Sequence, residues 1–85
     1  MAARADLVDH TWGVEIKLTA TGLEDGATYV TTVRDADGRD RPAGEFIGVA
    51  DVEIRCNISA SVLRADATGF SVWDSDGTLV LNAEL

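Results

Sequence analysis

Apolar and polar residues alternate along four stretches of this chain, and segments rich in Asp and Gly separate them. Val14, Ile16, Leu18 and Ala20 alternate with Glu15, Lys17, Thr19 and Thr21. Val52, Ile54, Cys56 and Ile58 alternate with Glu53, Arg55 and Asn57. A period of two marks strands with one dry face and one wet face. The pattern therefore predicts strands over 14–21 and 52–59, with Cys56 turned inward as a small buried hydrophobe.

The remaining elements are read from composition and turn chemistry. Residues 2–8 predict a weak first strand or an arm crossing the molecule. Trp12-Gly13 leads into the second strand, with Trp12 as a lid over one end of the core. Residues 28–34 are β-branched and aromatic enough for a third strand, but either Tyr29, Thr31 and Val33 or Val30 and Thr32 would suit its inner face. Arg39-Asp40-Arg41 is charged and Pro42 has no N–H to donate, so an edge or a loop is expected there, followed by a short strand over 43–49.

Residues 61–68 lack alternation and predict one helical turn or a wide loop. Strands over 70–74 and 78–85 close the chain, with Leu79, Leu81, Ala83 and Leu85 facing inward and the last edge free to dimerise. Asp35-Ala36-Asp37-Gly38 and Ser75-Asp76-Gly77 supply hairpin turns. The sum is an all-β, two-sheet antiparallel sandwich of about seven strands, immunoglobulin- or fibronectin-like, spanning 1–85 as a single domain. A chain of 85 residues buries somewhat over ~60% of its unfolded surface, enough for two packed sheets but thin for a deep cleft.

Charge narrows the function classes. Fifteen acids against seven bases give a formal charge of −8. Nucleic acid and anionic lipid are disfavoured as partners, because both demand clustered Lys and Arg. No apolar run approaches the ~20 residues that cross a bilayer, and no signal peptide is recognisable, so the segment reads as soluble.

Candidate chemistry is sparse. Asp35, Asp37, Asp74 and Asp76 resemble the opening of a calcium loop, but neither turn carries the further acidic ligands at the required offsets. Plain turns are the expectation, with a weak cation site shared between the two loops as the alternative. His10 is the only histidine and Cys56 the only cysteine, which is too few for zinc. No nucleophile elbow or glycine-rich oxyanion loop accompanies His10, so no enzyme and no cofactor are expected. Trp73 has outward parity; ordinary cross-strand packing against a neighbouring strand or an Arg is the expectation, with an apolar binding patch made by Trp73 and outward Val80 as the alternative.

Several spaced residues together resemble a known family. They are Trp12-Gly13-x-x-Ile16-x-Leu18, Gly22-Leu23-x-x-Gly26-x-x-Tyr29, Asp35-x-Asp37-Gly38 and Ala43-Gly44-x-Phe46. Near the end, Phe70-x-Val72 and Asp76-Gly77-x-Leu79-x-Leu81-x-Ala83-x-Leu85 continue the series. The chain resembles the outer, C-terminal domain of actinobacterial membrane-anchored anti-sigma factors of the zinc-finger type. The resemblance implies an extracytoplasmic signal-input domain, controlled by a protein partner or a regulating protease. In that family the sigma factor is held by a separate inner segment with a His-x3-Cys-x2-Cys motif, which this chain lacks; no sigma-binding residue is carried over. The other reading is a stand-alone immunoglobulin-like module binding protein or carbohydrate, with Trp12, Tyr29 and Trp73 as stacking surfaces.

Overall fold

A computed structural model describes residues 2–85. Seven strands form: β1 Ala2–His10, β2 Gly13–Thr21, β3 Thr28–Arg34, β4 Asp40–Ile47, β5 Ile54–Ala60, β6 Gly69–Trp73 and β7 Leu79–Glu84. They make a three-stranded sheet, β1-β2-β5, and a four-stranded sheet, β4-β3-β6-β7, with every neighbouring pair antiparallel. The all-β sandwich read from the alternation is the observed architecture. Because β4 joins β3 instead of β5, the order is the fibronectin-type variant; in the immunoglobulin constant arrangement the fourth strand stays with the first sheet.

The dry layer follows the alternation most closely in β2, where Val14, Ile16, Leu18 and Ala20 are all at most 2% exposed. Facing them are Val33 of β3 and Phe70 and Val72 of β6, while β4 lies against β5 where the two sheets meet. Leu23, Val62 and Ala67 are also buried, so the loops complete the core. The expected helical turn is present as a single 3₁₀ turn, Arg64–Asp66. Among the described residues no helix is long and apolar enough to cross a membrane.

The third strand turns Tyr29, Thr31 and Val33 inward and leaves Val30 exposed. Thr31 is fully buried, and its hydroxyl donates to the Gly44 carbonyl at 2.7 Å. That acceptor is presented by an irregularity in β4: Thr31 pairs with Gly44 and Thr32 with Pro42, so Ala43 is an extra residue. A buried hydroxyl with no partner costs about 1–3 kcal/mol, so the bulge is what makes a threonine tolerable here. Pro42 lies on the outermost strand of its sheet, where no neighbour needs its missing N–H.

Several expectations are corrected. Of the two readings of residues 2–8, the strand is the one observed, and it is longer and better paired than expected: β1 runs from Ala2 to His10 and pairs with β2 over its whole length. The strand at 43–49 begins earlier, at Asp40, and ends at Ile47. Val52 is 51% exposed and precedes β5, because the chain turns through Asp51 at φ 62° and the ladder starts only at Ile54. Trp12 is 54% exposed and does not lid the core. Leu79 is exposed and Val80 packs against the core, the reverse of the parity expected. The cause is a second bulge: Val72 pairs with Leu81 and Trp73 with Leu79, so Val80 is the unpaired extra residue and the alternation of β7 inverts there.

Candidate functional site

Trp73 sits on the outer face of the four-stranded sheet. Its register partners are Val30 on one side and Leu79 on the other, and partners in register share a face. One row along, Thr28 pairs with Ile47, so Ile47 joins the same face. Val30, Ile47 and Leu79 are 38%, 64% and 45% exposed, and Trp73 is half-buried among them. The apolar patch around Trp73 therefore exists, but with Leu79, Val30 and Ile47 as its members and without Val80.

Polar neighbours fix the indole. Trp73 Nε1 donates to Thr32 Oγ1 at 3.0 Å, a diagonal contact on the same face. Asn82 Nδ2 donates to Ser71 Oγ at 3.3 Å in the next row, and Ser71 is buried although its register places it on the outer face. The Trp73 ring is thus an oriented platform, with Glu45 in register beside Val30 as the nearest acid of the row. The indole is thus held by its N–H and flanked by exposed aliphatic side chains on an open face.

Two of the four turn aspartates, Asp35 and Asp74, cap their own turns. Asp35 Oδ1 accepts the N–H groups of Asp37 and Arg39 at 2.9 and 3.0 Å. Asp74 Oδ1 accepts those of Asp76 and Thr78, both at 2.9 Å. In each turn the Gly N–H also closes on the carbonyl of the first Asp, with Gly38 and Gly77 at φ 81° and 80°. Two separate segments thus build one turn, in which Asp caps the backbone and only Gly takes the left-handed position cheaply. A cation site shared between the two loops is ruled out by the register. Arg34 pairs with Gly69 and Val30 with Trp73, so the turn after β3 and the turn after β6 lie at opposite ends of the sheet. Among the described residues no cluster of three His, Cys, Asp or Glu side chains could hold a metal ion.

The Arg39 N–H, above all, holds the Asp35 carboxyl below its ordinary range. Burial opposes the shift, while the Asp37 N–H and the Arg41 guanidinium, 3.6 Å from Oδ2, add to it. A carboxyl with a lowered folded pKa binds its proton less readily folded than unfolded. Its contribution to stability is complete above the unfolded value of about 3.9 and disappears as pH falls through the folded value. Asp35→Asn keeps the oxygen acceptor and removes the charge. Urea midpoints measured below neutral pH are expected to fall less steeply with acid in this variant than in the parent; parallel curves would contradict the assignment.

Sequence reasoning missed one cluster. The imidazole of His10 stacks on Trp12 with ring centroids 4.6 Å apart and planes 8° from parallel, and His10 Nε2 lies 3.0 Å from Glu15 Oε1. The only local signal was two rings two residues apart across a hairpin loop. Tyr29, in contrast, is 5% exposed, stacks on Phe46 at 5.4 Å, and its hydroxyl accepts the Glu24 N–H at 3.0 Å. It offers no face to a sugar, and Trp12 has one face already taken by His10. Cys56 is half-buried against the core, and burial pushes its thiol pKa up. A thiol so shifted is less nucleophilic at neutral pH, in keeping with a packing role.

Comparison with protein-family models, with curated proteins and with solved structures finds no match.

Proposed function

We propose that this chain is the extracytoplasmic signal-input domain of a membrane-anchored anti-sigma factor of the zinc-finger type, a regulatory module without catalysis. The reading is carried by the spaced series that begins at Trp12-Gly13 and runs through Tyr29, Asp35-x-Asp37-Gly38 and Ala43-Gly44-x-Phe46. Several of its members have distinct places in the fold. Gly13 meets the end of β5, Tyr29 caps the loop at Glu24, Asp35 builds its turn, and Ala43-Gly44 forms the bulge that receives Thr31. The module would act through its outer surface, by binding a partner, and through its ladders, which shield backbone amides from proteolysis so that cleavage is confined to flanking chain. The segment itself contacts neither nucleic acid, lipid nor the sigma factor in this reading.

A second reading, a stand-alone protein-binding sandwich, is favoured by the cluster of Val30, Ile47, Trp73 and Leu79 on one open face. The encoding frame separates the two. The first expects a membrane helix and a His-x3-Cys-x2-Cys segment upstream, and altered sigma-dependent transcription when codons 2–85 are deleted in the native genome. A frame with neither feature overturns it and leaves the second.

A further inference from the structure

The exposed edges of the two sheets are not equivalent. In the four-stranded sheet, β4 carries Pro42 and the Ala43 bulge, and β7 carries the Val80 bulge, both devices that block strand addition. In the other sheet, β5 lies against β4 at the corner of the sandwich. β1 has none of these. Its nine residues pair with β2 from Ala2 to His10 with no break in register, and no described strand lies on its other side.

We infer that β1 is the pairing edge for a second copy of this chain, joined antiparallel about a two-fold axis at Ala5. The hairpin between β1 and β2 has a two-residue loop, so His10–Gly13 is a hydrogen-bonded pair, and pairs alternate from there. Val8, Asp6, Arg4 and Ala2 therefore spend their backbone groups on β2, while Ala3, Ala5 and Leu7 point theirs outward. An axis at Ala5 matches Ala5 with itself and Ala3 with Leu7 of the other copy, and so satisfies the outward N–H and C=O groups of those residues. Arg4 then stands opposite Asp6 of the other copy, twice, at the close non-hydrogen-bonded positions where side chains approach best.

Register and charge select this axis over its neighbours. Faces are preserved only when the strand slides by two residues. Sliding one way sets Arg4 against Arg4, and the other way sets Asp6 against Asp6. Only the axis at Ala5 opposes unlike charges, and it extends a row in which Asp6 already faces Lys17 across β2. Arg4 and Asp6 are both exposed, and among the described residues neither makes an ion pair or a side-chain hydrogen bond. The contact is isologous, so it closes as a dimer and does not propagate, because the remaining edges are bulged or covered. The last strand is a sheet edge, as the sequence led one to expect, but it carries the Val80 bulge.

The inference stands independently of the functional reading. Sedimentation equilibrium over a concentration series tests it on the chain itself. The parent is expected to associate to a dimer. Arg4→Asp and Asp6→Arg each replace attraction by repulsion in two places and raise the dissociation constant about tenfold or more. The double swap Arg4→Asp/Asp6→Arg restores unlike pairs and returns association to within about threefold of the parent. A misfolded single variant would not be rescued by a second surface substitution, so recovery in the double swap reports pairing. A parent that stays monomeric throughout, single variants that associate like the parent, or a double swap that does not recover would each overturn the inference.

Discussion

Gly13→Ala is expected to lower the thermal midpoint by roughly 10–25 °C. A Cβ at Gly13 would collide with the Ala60 carbonyl oxygen and crowd Ser61 Cα at 3.2 Å. These are backbone atoms, so no side chain can rotate away. The end of β5 must move off β2, and Val14 and Ala60, paired in register and both buried, lose their packing. Overpacking of this kind costs about 3 kcal/mol, which in a domain of this size is a large share of total stability. Differential scanning calorimetry checks it. A midpoint unchanged within about 3 °C would mean that β2 and β5 are not in this contact.

Phe70→Ala is the second large effect. Phe70 is 1% exposed, pairs with Val33 on one side and Ala83 on the other, and is the bulkiest fully buried side chain. Removing a buried phenyl ring costs about 3–5 kcal/mol, from lost transfer energy and from the cavity that remains. Stability of this chain, by its length, is about 4–13 kcal/mol, so the variant loses between about a quarter and all of it. Urea denaturation is expected to show the midpoint fall with the slope preserved, or the variant to be unfolded before any urea is added. A loss below about 1 kcal/mol would place the ring outside the core.

How far the chain could be read without its structure depends on what each residue answers to. Ile16, Leu18 and Ala20 answer only to the pleat, and their alternation predicted their burial directly. Thr31 answers to Gly44, thirteen residues away, and its burial is tolerable only because a bulge brings that carbonyl within 2.7 Å. No local pattern carries such information, which is why the inner face of β3 was open to two readings. Val80 and Leu79 fail for the same reason: alternation assumes an unbroken ladder, and the bulge beside Trp73 inverts it. The outward parity of Trp73 was therefore legible, while its apolar neighbour on that face is Leu79 and not Val80. Val52 shows a different limit, because a period of two does not mark where pairing stops; the turn through Asp51 does.

The turn aspartates were legible for a local reason. Asp35 and Asp74 bond to backbone groups two and four residues on, inside the window a sequence presents. Whether the two turns could cooperate was a question of topology, and the register of β3 with β6 answers it by setting them at opposite ends. The His10–Trp12 stack depends on β1 reaching the full length of β2, which its composition of Ala and Asp did not advertise.

The central claim is spatial: Ile16, Leu18 and Val72 lie in the dry layer between two sheets, while Val30, Ile47 and Leu79 surround Trp73 on an open outer face. Methyl NMR spectra recorded with and without a water-soluble paramagnetic probe test both halves at once. The first three residues are expected to keep their signal intensities and the second three to lose theirs. Attenuation at Ile16 or Val72, or protection at Val30 and Leu79, would contradict the account.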